Sequence, residues 1–101
     1  MAAVSDEQVE DVRGLVAAIP LGQVSTYGDL AAAAGLSSPR IVGWIMRTDT
    51  VDLPWHRVVP ASGKPAQHLA RRQLERLRAE GVPIVDGRIR LRECRWDIPS
   101  R

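Results

Sequence analysis

The sequence predicts a mainly α, winged-helix-like fold, a helix-turn-helix followed by a small C-terminal β-hairpin. Three observations point to it. Two short helical stretches flank a glycine at Gly35, an arginine-rich amphipathic stretch follows Gln67, and Asp86-Gly87 separates two β-type runs. A chain of 101 residues is expected to form a single domain over residues 1–101, with a modest core.

The first helix is expected over Asp6 to Ala18. Ser5 and Gln8 have capping-box spacing, and Val9, Val12, Val16 and Ile19 recur at helical intervals. Pro20 and Gly22 then break the chain. "TYGDLAAAAG" reads as a short helix with Thr26 as N-cap and Gly35 as its stop. "SSPRIVGWIMRT" restarts a helix, with Ser38 as N-cap and Pro39 at the first helical position, where its missing N–H costs nothing. Ile41, Trp44 and Ile45 are expected to supply the apolar content of this second member of the pair. "LPWHRVVP", Leu53 to Pro60, sits between prolines and reads as a rigid, extended or turning segment. "HLARRQLERLRAEG" forms an amphipathic helix. Leu69, Leu74 and Leu77 give its apolar stripe, Arg71, Arg72, Arg76 and Arg78 its basic surface, and Gly81 its stop. In "VPIVDGRIRL", Arg88, Arg90 and Arg92 alternate with Ile89 and Leu91, which predicts one basic and one buried face.

Composition narrows the function classes. No apolar run reaches the length of a membrane span and the N-terminal stretch is acidic, unlike a signal peptide, so no membrane partner and a cytoplasmic location are expected. The single cysteine, Cys94, has no partner for an internal disulfide, and one cysteine with two histidines is too few soft ligands for zinc. Charge is unevenly placed. Met1 to Leu30 holds five acids and one base, a net of −4, whereas from Arg40 onward thirteen bases face seven acids, a net of +6. One side of the fold therefore suits an anion, nucleic acid being the commonest, although arginines that merely solvate a helix give the same pattern.

"IPLGQVSTYGDLAAAAG", "PRIVGWIMR", "PWHRVVPASGK" and "AEGV", in this order and spacing, resemble the DNA-binding domain of the O6-alkylguanine-DNA alkyltransferases over about Val9 to Trp96. That family moves an alkyl group from guanine irreversibly to a cysteine in a Pro-Cys-His-Arg-Val motif. Here the motif reads Pro54-Trp55-His56-Arg57-Val58. Tryptophan in place of the acceptor is the mark of the alkyltransferase-like proteins, which recognise the lesion without repairing it. The chemistry agrees, because alkyl transfer needs an activated thiolate and an indole N–H is a donor only. Cys94 lies outside the motif, in "RECRWDIP", and is expected to be a small buried residue.

The resemblance implies a non-enzymatic sensor with no catalytic residue, cofactor or metal. Its expected partners are double-stranded DNA containing O6-alkylguanine, met as a monomer associated with the nucleoid, and the nucleotide-excision repair proteins. A lesion pocket is expected from Tyr27, Met46, Trp55 and Val58. Trp55 would form its floor, Met46 an adaptable wall, and Val58 would offer backbone polar groups to the base edge. Tyr27 would crowd the 3′ phosphate, and Arg40 would fill the gap left by the flipped nucleotide. Docking is implied in the minor groove, where the small residues Ala31, Ala32, Ala34 and Gly43 allow close approach. His56, Arg57 and Glu80 fall near the pocket. Without a cysteine to activate, His56 becomes a structural hydrogen-bonding residue, and Arg57 takes a structural or phosphate role. Three places depart from the family or stay open. Asp49 falls near the family's asparagine after the second helix, with a shorter connection to Pro54. The segment "PAQHLA", including Gln67, lacks the family's glycine- and tyrosine-containing pocket loop, which implies a roomier pocket. Trp96 either lines the pocket or caps the core. Two other readings are a helix-turn-helix regulator that reads base edges without regard to lesions, and a residual enzyme acting through Cys94.

Overall fold

The computed structural model describes residues 4–48 and 50–99. Asp49 therefore lies outside the described residues. Helix α1 spans Asp6–Ala18 behind the expected capping box, in which Ser5 Oγ accepts from the Gln8 N–H at 3.1 Å and Gln8 Oε1 accepts from the Ser5 N–H at 3.1 Å. A two-residue strand β1, Ser25–Thr26, leads directly into α2, Tyr27–Ala33, whose N-cap Thr26 accepts from the Asp29 N–H at 3.0 Å. At the other end of α2, Gly35 takes a φ of +70°. Its N–H donates to Ala32 O at 3.2 Å and the Leu36 N–H donates to Ala31 O at 2.8 Å, the paired bonds of a Schellman stop. Helix α3, Pro39–Thr48, begins where expected, with Ser38 Oγ accepting from the Arg40 N–H at 3.1 Å. The helix-turn-helix is thus α2 and α3.

The proline-flanked stretch forms a single 3₁₀ turn at Trp55–Arg57 and then strand β2, Val58–Val59, which pairs in parallel with β1. The sequence did not signal this two-stranded pair, since two residues carry no periodicity. It joins the halves of the core, because successive strand side chains point to opposite faces. Val58 enters a cluster with Val12, Val16, Leu30, Val42 and Ile45, while Val59 enters a second one with Val24, Leu74, Leu77, Ile89 and Cys94.

Helix α4, Ala70–Ala79, buries Gln73, Leu74 and Leu77, and Leu69 stands just outside it as N-cap. Strands β3, Ile84–Val85, and β4, Arg88–Ile89, form the predicted hairpin, its central residues Asp86 and Gly87 at φ of 52° and 74°. The anticipated alternation stops at Ile89. Arg90 already caps a short helix α5, Leu91–Cys94, although Arg88, Arg90 and Arg92 are all exposed as expected. Trp44 also differs from expectation. The apolar side of α3 is Val42, Ile45 and Met46, and Trp44 is 51% exposed on the far side. Trp96 packs against the first cluster, and its N–H donates to Val24 O at 2.7 Å. Among the described residues no helix is long and apolar enough to cross a membrane.

The turn after β2 docks on the hairpin through one glycine. Gly63, at a φ of +77°, accepts from the Ile89 N–H at 2.8 Å, and a Cβ there would stand 2.6 Å from Ile89 O. Gly63→Ala combines a left-handed backbone with a backbone clash, so thermal unfolding is expected to show a loss of about 1–3 kcal/mol or more.

Candidate nucleic-acid interface

A cavity of about 290 Å³ opens between the start of α2, the second half of α3, the 3₁₀ turn and the start of α4. Tyr27, Met46 and Trp55, expected as pocket residues, and Gly43, expected at the DNA contact, line it together with Arg47, Thr50, His68, Leu69 and Arg72. Tyr27 is the first residue of α2, so Thr26 capping fixes its place on the backbone beside the cavity. Burial pushes the Tyr27 phenol above its ordinary value, against the opposing charge of Arg47, so at neutral pH it is a hydroxyl donor. Met46 reaches the cavity from the buried side of α3 and gives it an adaptable apolar wall.

Trp55 owes its position to the residues after it. Glu80, the residue that ends α4, receives Arg57 Nε at 3.0 Å on one carboxylate oxygen and Arg57 Nη2 at 2.9 Å on the other. His56 Nε2 lies 2.7 Å from the same carboxylate. Arg57 Nη1 also donates to Ile19 O at 2.9 Å, at the end of α1. Buried Gln73 completes the clamp, its Nε2 donating to His56 O at 3.0 Å and to Val58 O at 2.8 Å. His56, Arg57 and Glu80 are thus joined in one hydrogen-bonded cluster. Arg57 above all, then His56, hold the Glu80 carboxyl down at about 2 despite its burial.

Two arginines expected to be solvated are engaged. Arg72 and Arg76, one turn apart on α4, each place the guanidinium carbon 5.4 Å from the Trp55 ring centroid. Arg40 is exposed in the first turn of α3, and its guanidinium makes no hydrogen bond or ion pair among the described residues. Gly43 borders the cavity with open space where a Cβ would stand.

One residue expected at the DNA contact and one expected in the pocket are taken up by the core instead. Ala34 is buried in the first core cluster, because it follows Leu30 and Ala31 on the packed side of α2. Val58 is 1% exposed, its N–H donates to Trp55 O and its carbonyl accepts from Gln73, so its backbone is committed within the fold. Gln67 is exposed and lies outside the cavity lining, while the neighbouring His68 and Leu69 border it. Arg47 and His68 were missed by sequence reading, and Arg72 was read only as part of the basic surface of α4.

Cys94 is 5% exposed in the second core cluster, its thiol within 3.4 Å of Arg90 O. Burial, then Glu93, pushes that thiol up, the reverse of an activated nucleophile. Among the described residues no group of three or more His, Cys, Asp or Glu could hold a metal. A larger hollow of about 700 Å³ lies between α2 and Arg95–Pro99. It carries Asp97 and the Arg95–Asp29 pair at 2.8 Å, so it offers no surplus cations for a phosphate backbone.

A helix-turn-helix whose second helix leads to a cavity lined by tryptophan and by basic side chains, with no thiol among its described lining residues, defines a nucleic-acid-binding domain. Residues 7–82 match the family model for the DNA-binding domain of 6-O-methylguanine DNA methyltransferase. The chain belongs to that family, in its alkyltransferase-like branch. It is 35% identical over 102 residues to Alkyltransferase-like protein 1 of Schizosaccharomyces pombe, covering 94% of this chain and 93% of that protein. It is 43% identical over 91 residues to the DNA base-flipping protein of Escherichia coli K12, covering 82% and 69% respectively. The crystal structure of S. pombe Atl1 with damaged DNA containing O6-carboxymethylguanine superposes with a TM-score of 0.83 at 33% identity, over 95% of this chain and 100% of that one.

The Glu80 clamp predicts an acid-sensitive fold. Because the folded carboxyl titrates below its ordinary 4.5, the clamp stabilises fully above that pH and fades as pH falls toward about 2. Thermal melts from neutral pH downward are expected to show Tm falling through this window, with Glu80→Gln lower at neutral pH and flatter across it.

Proposed function

We propose that this protein is a non-enzymatic sensor that binds O6-alkylguanine in duplex DNA, flips the base into the Trp55 cavity and leaves the alkyl group in place. One observation carries the reading. An indole, held by the Glu80 clamp, floors a cavity of about 290 Å³ at the position where the resembling alkyltransferases carry their acceptor cysteine. The relatives named for base flipping and the Atl1 complex with damaged DNA support it. Minor-groove docking through α3 puts Arg40 beside the duplex, where a planar guanidinium can stack in the vacated gap and hydrogen-bond the orphaned base. Tyr27, at the cavity mouth, crowds the adjacent phosphate. A monomer suffices, since all these groups come from one chain. A lesion bound without turnover has to be removed by other proteins, which fits a role in marking it for nucleotide-excision repair.

The test is fluorescence anisotropy on one labelled duplex carrying guanine or O6-methylguanine at the same position, at stated salt, with the methyl group assayed afterwards. Tighter binding to the methylated duplex with the methyl retained is expected, and Arg40→Ala should weaken it roughly 5- to 100-fold. Equal affinity for both duplexes would leave a general DNA-binding domain, and methyl loss would make the protein an enzyme. Arg47, His68 and Arg72 line the cavity, and no carboxylate lines it among the described residues. The O6-carboxymethylguanine duplex is therefore expected to bind more tightly than the O6-methylguanine one, and Arg72→Gln to narrow that difference, in the same assay.

A further inference from the structure

Among the described residues, Trp44 is the exposed aromatic of the four large apolar side chains that the fold leaves out of the core, the others being Leu21, Val51 and Val85. It is 51% exposed, and its indole makes no ring contact, cation–π contact or hydrogen bond among the described residues. On α3 it shares a face with Arg40, Gly43 and Arg47, which stand at helical spacings from one another, while Val42, Ile45 and Met46 face the core. The exposed face therefore runs from the unpaired Arg40, past Trp44, to Gly43 and Arg47 at the cavity mouth. No acidic residue lies on α3.

We infer that Trp44 is a second DNA-contacting residue, an apolar wedge that enters the minor groove and packs against a base step near the flipped nucleotide. This rests on the DNA-binding reading above. Gly43 lets the helix approach closely, but an indole on the same face holds the helix away from the groove floor unless the indole itself occupies a widened or partly unstacked step. Minor-groove proteins use apolar wedges in this way, kinking the duplex toward the major groove. The register suits the role. Trp44 lies one turn beyond Arg40, about 6 Å along the helix axis, on the order of two base steps. Arg40 thus fills the vacated stack and Trp44 props the groove open beside it. Positive charge on both sides of the indole matches a phosphate-lined groove rather than an apolar protein surface.

Wild type, Trp44→Ala and Trp44→Phe would be compared on lesion-bearing and undamaged duplexes, by anisotropy for affinity and by end-to-end energy transfer for bending. Trp44→Ala is expected to weaken binding to both duplexes by about 5- to 100-fold and to reduce the bend, with Trp44→Phe recovering much of each. The ratio between lesion and undamaged DNA should change little, because the cavity is untouched. A wild-type protein that binds DNA without lesion preference would sink the sensor reading and leave the wedge standing. Affinity and bend unchanged by Trp44→Ala would overturn the wedge, and leave the indole as a surface for another protein. Melting temperatures check that the variants fold, and Trp44→Gln serves in place of any that does not.

Discussion

The floor of the candidate site depends on the Glu80 carboxylate. It ends α4, accepts two hydrogen bonds from Arg57 and one contact from His56, and through Arg57 reaches the last carbonyl of the α1 turn at Ile19. Three elements distant in sequence are thereby fixed to one another. Removing one partner of such a buried pair leaves an uncompensated charge and typically costs about 3–5 kcal/mol. The interaction is thus better read as specifying a geometry than as adding stability. What it specifies is the 3₁₀ turn, and the turn specifies where Trp55 points.

That arrangement separates two tasks the resembling enzymes combine. A histidine linked to a carboxylate activates a neighbouring thiol in an alkyltransferase. Here the histidine has no thiol beside it, Nδ1 of His56 is buried without a partner, and Cys94 sits in another core cluster with its thiol pushed up. The relay remains as scaffold. The hydrogen bonds from Glu80 and Gln73 hold the turn that carries Trp55, with no thiol placed beside His56 among the described residues.

Local chemistry made most of the fold legible. Ser5, Thr26 and Ser38 start helices where their side chains can accept backbone N–H groups, and Gly35 stops one where only a left-handed residue fits. Asp86-Gly87 marks its hairpin for the same reason. The parallel pair β1–β2 was illegible because its partners lie far apart in sequence and are two residues long. At the site, Tyr27, Met46, Gly43 and Trp55 were legible through motif resemblance and do converge. Ala34 and Val58 share those motifs, yet packing and strand pairing claim them first. Arg72 and Arg76 looked solvated because nothing local connects α4 with the 3₁₀ turn, and Gln73 hid its role by standing as a polar residue in an apolar stripe.

The two guanidiniums over Trp55 bear on how such a pocket would discriminate. Extruding a base costs a few kcal/mol, least for one whose pairing is already weakened. A cation–π contact contributes about 0.5–2 kcal/mol, comparable with stacking a base on the same ring. Arg72 lines the cavity as well, so a normal guanine stacking on Trp55 there would meet one cation–π contact already made, and would recover only part of the extrusion cost. An O6 substituent changes both sides of that balance. It weakens pairing in the duplex, and it brings extra atoms to a floor of indole and a wall of methionine, with Arg47, His68 and Arg72 at the rim. Discrimination on the proposed reading therefore needs no group that recognises the alkyl carbon specifically. It follows from the weaker pairing of the modified base and from the extra contact its substituent makes with Trp55 and Met46.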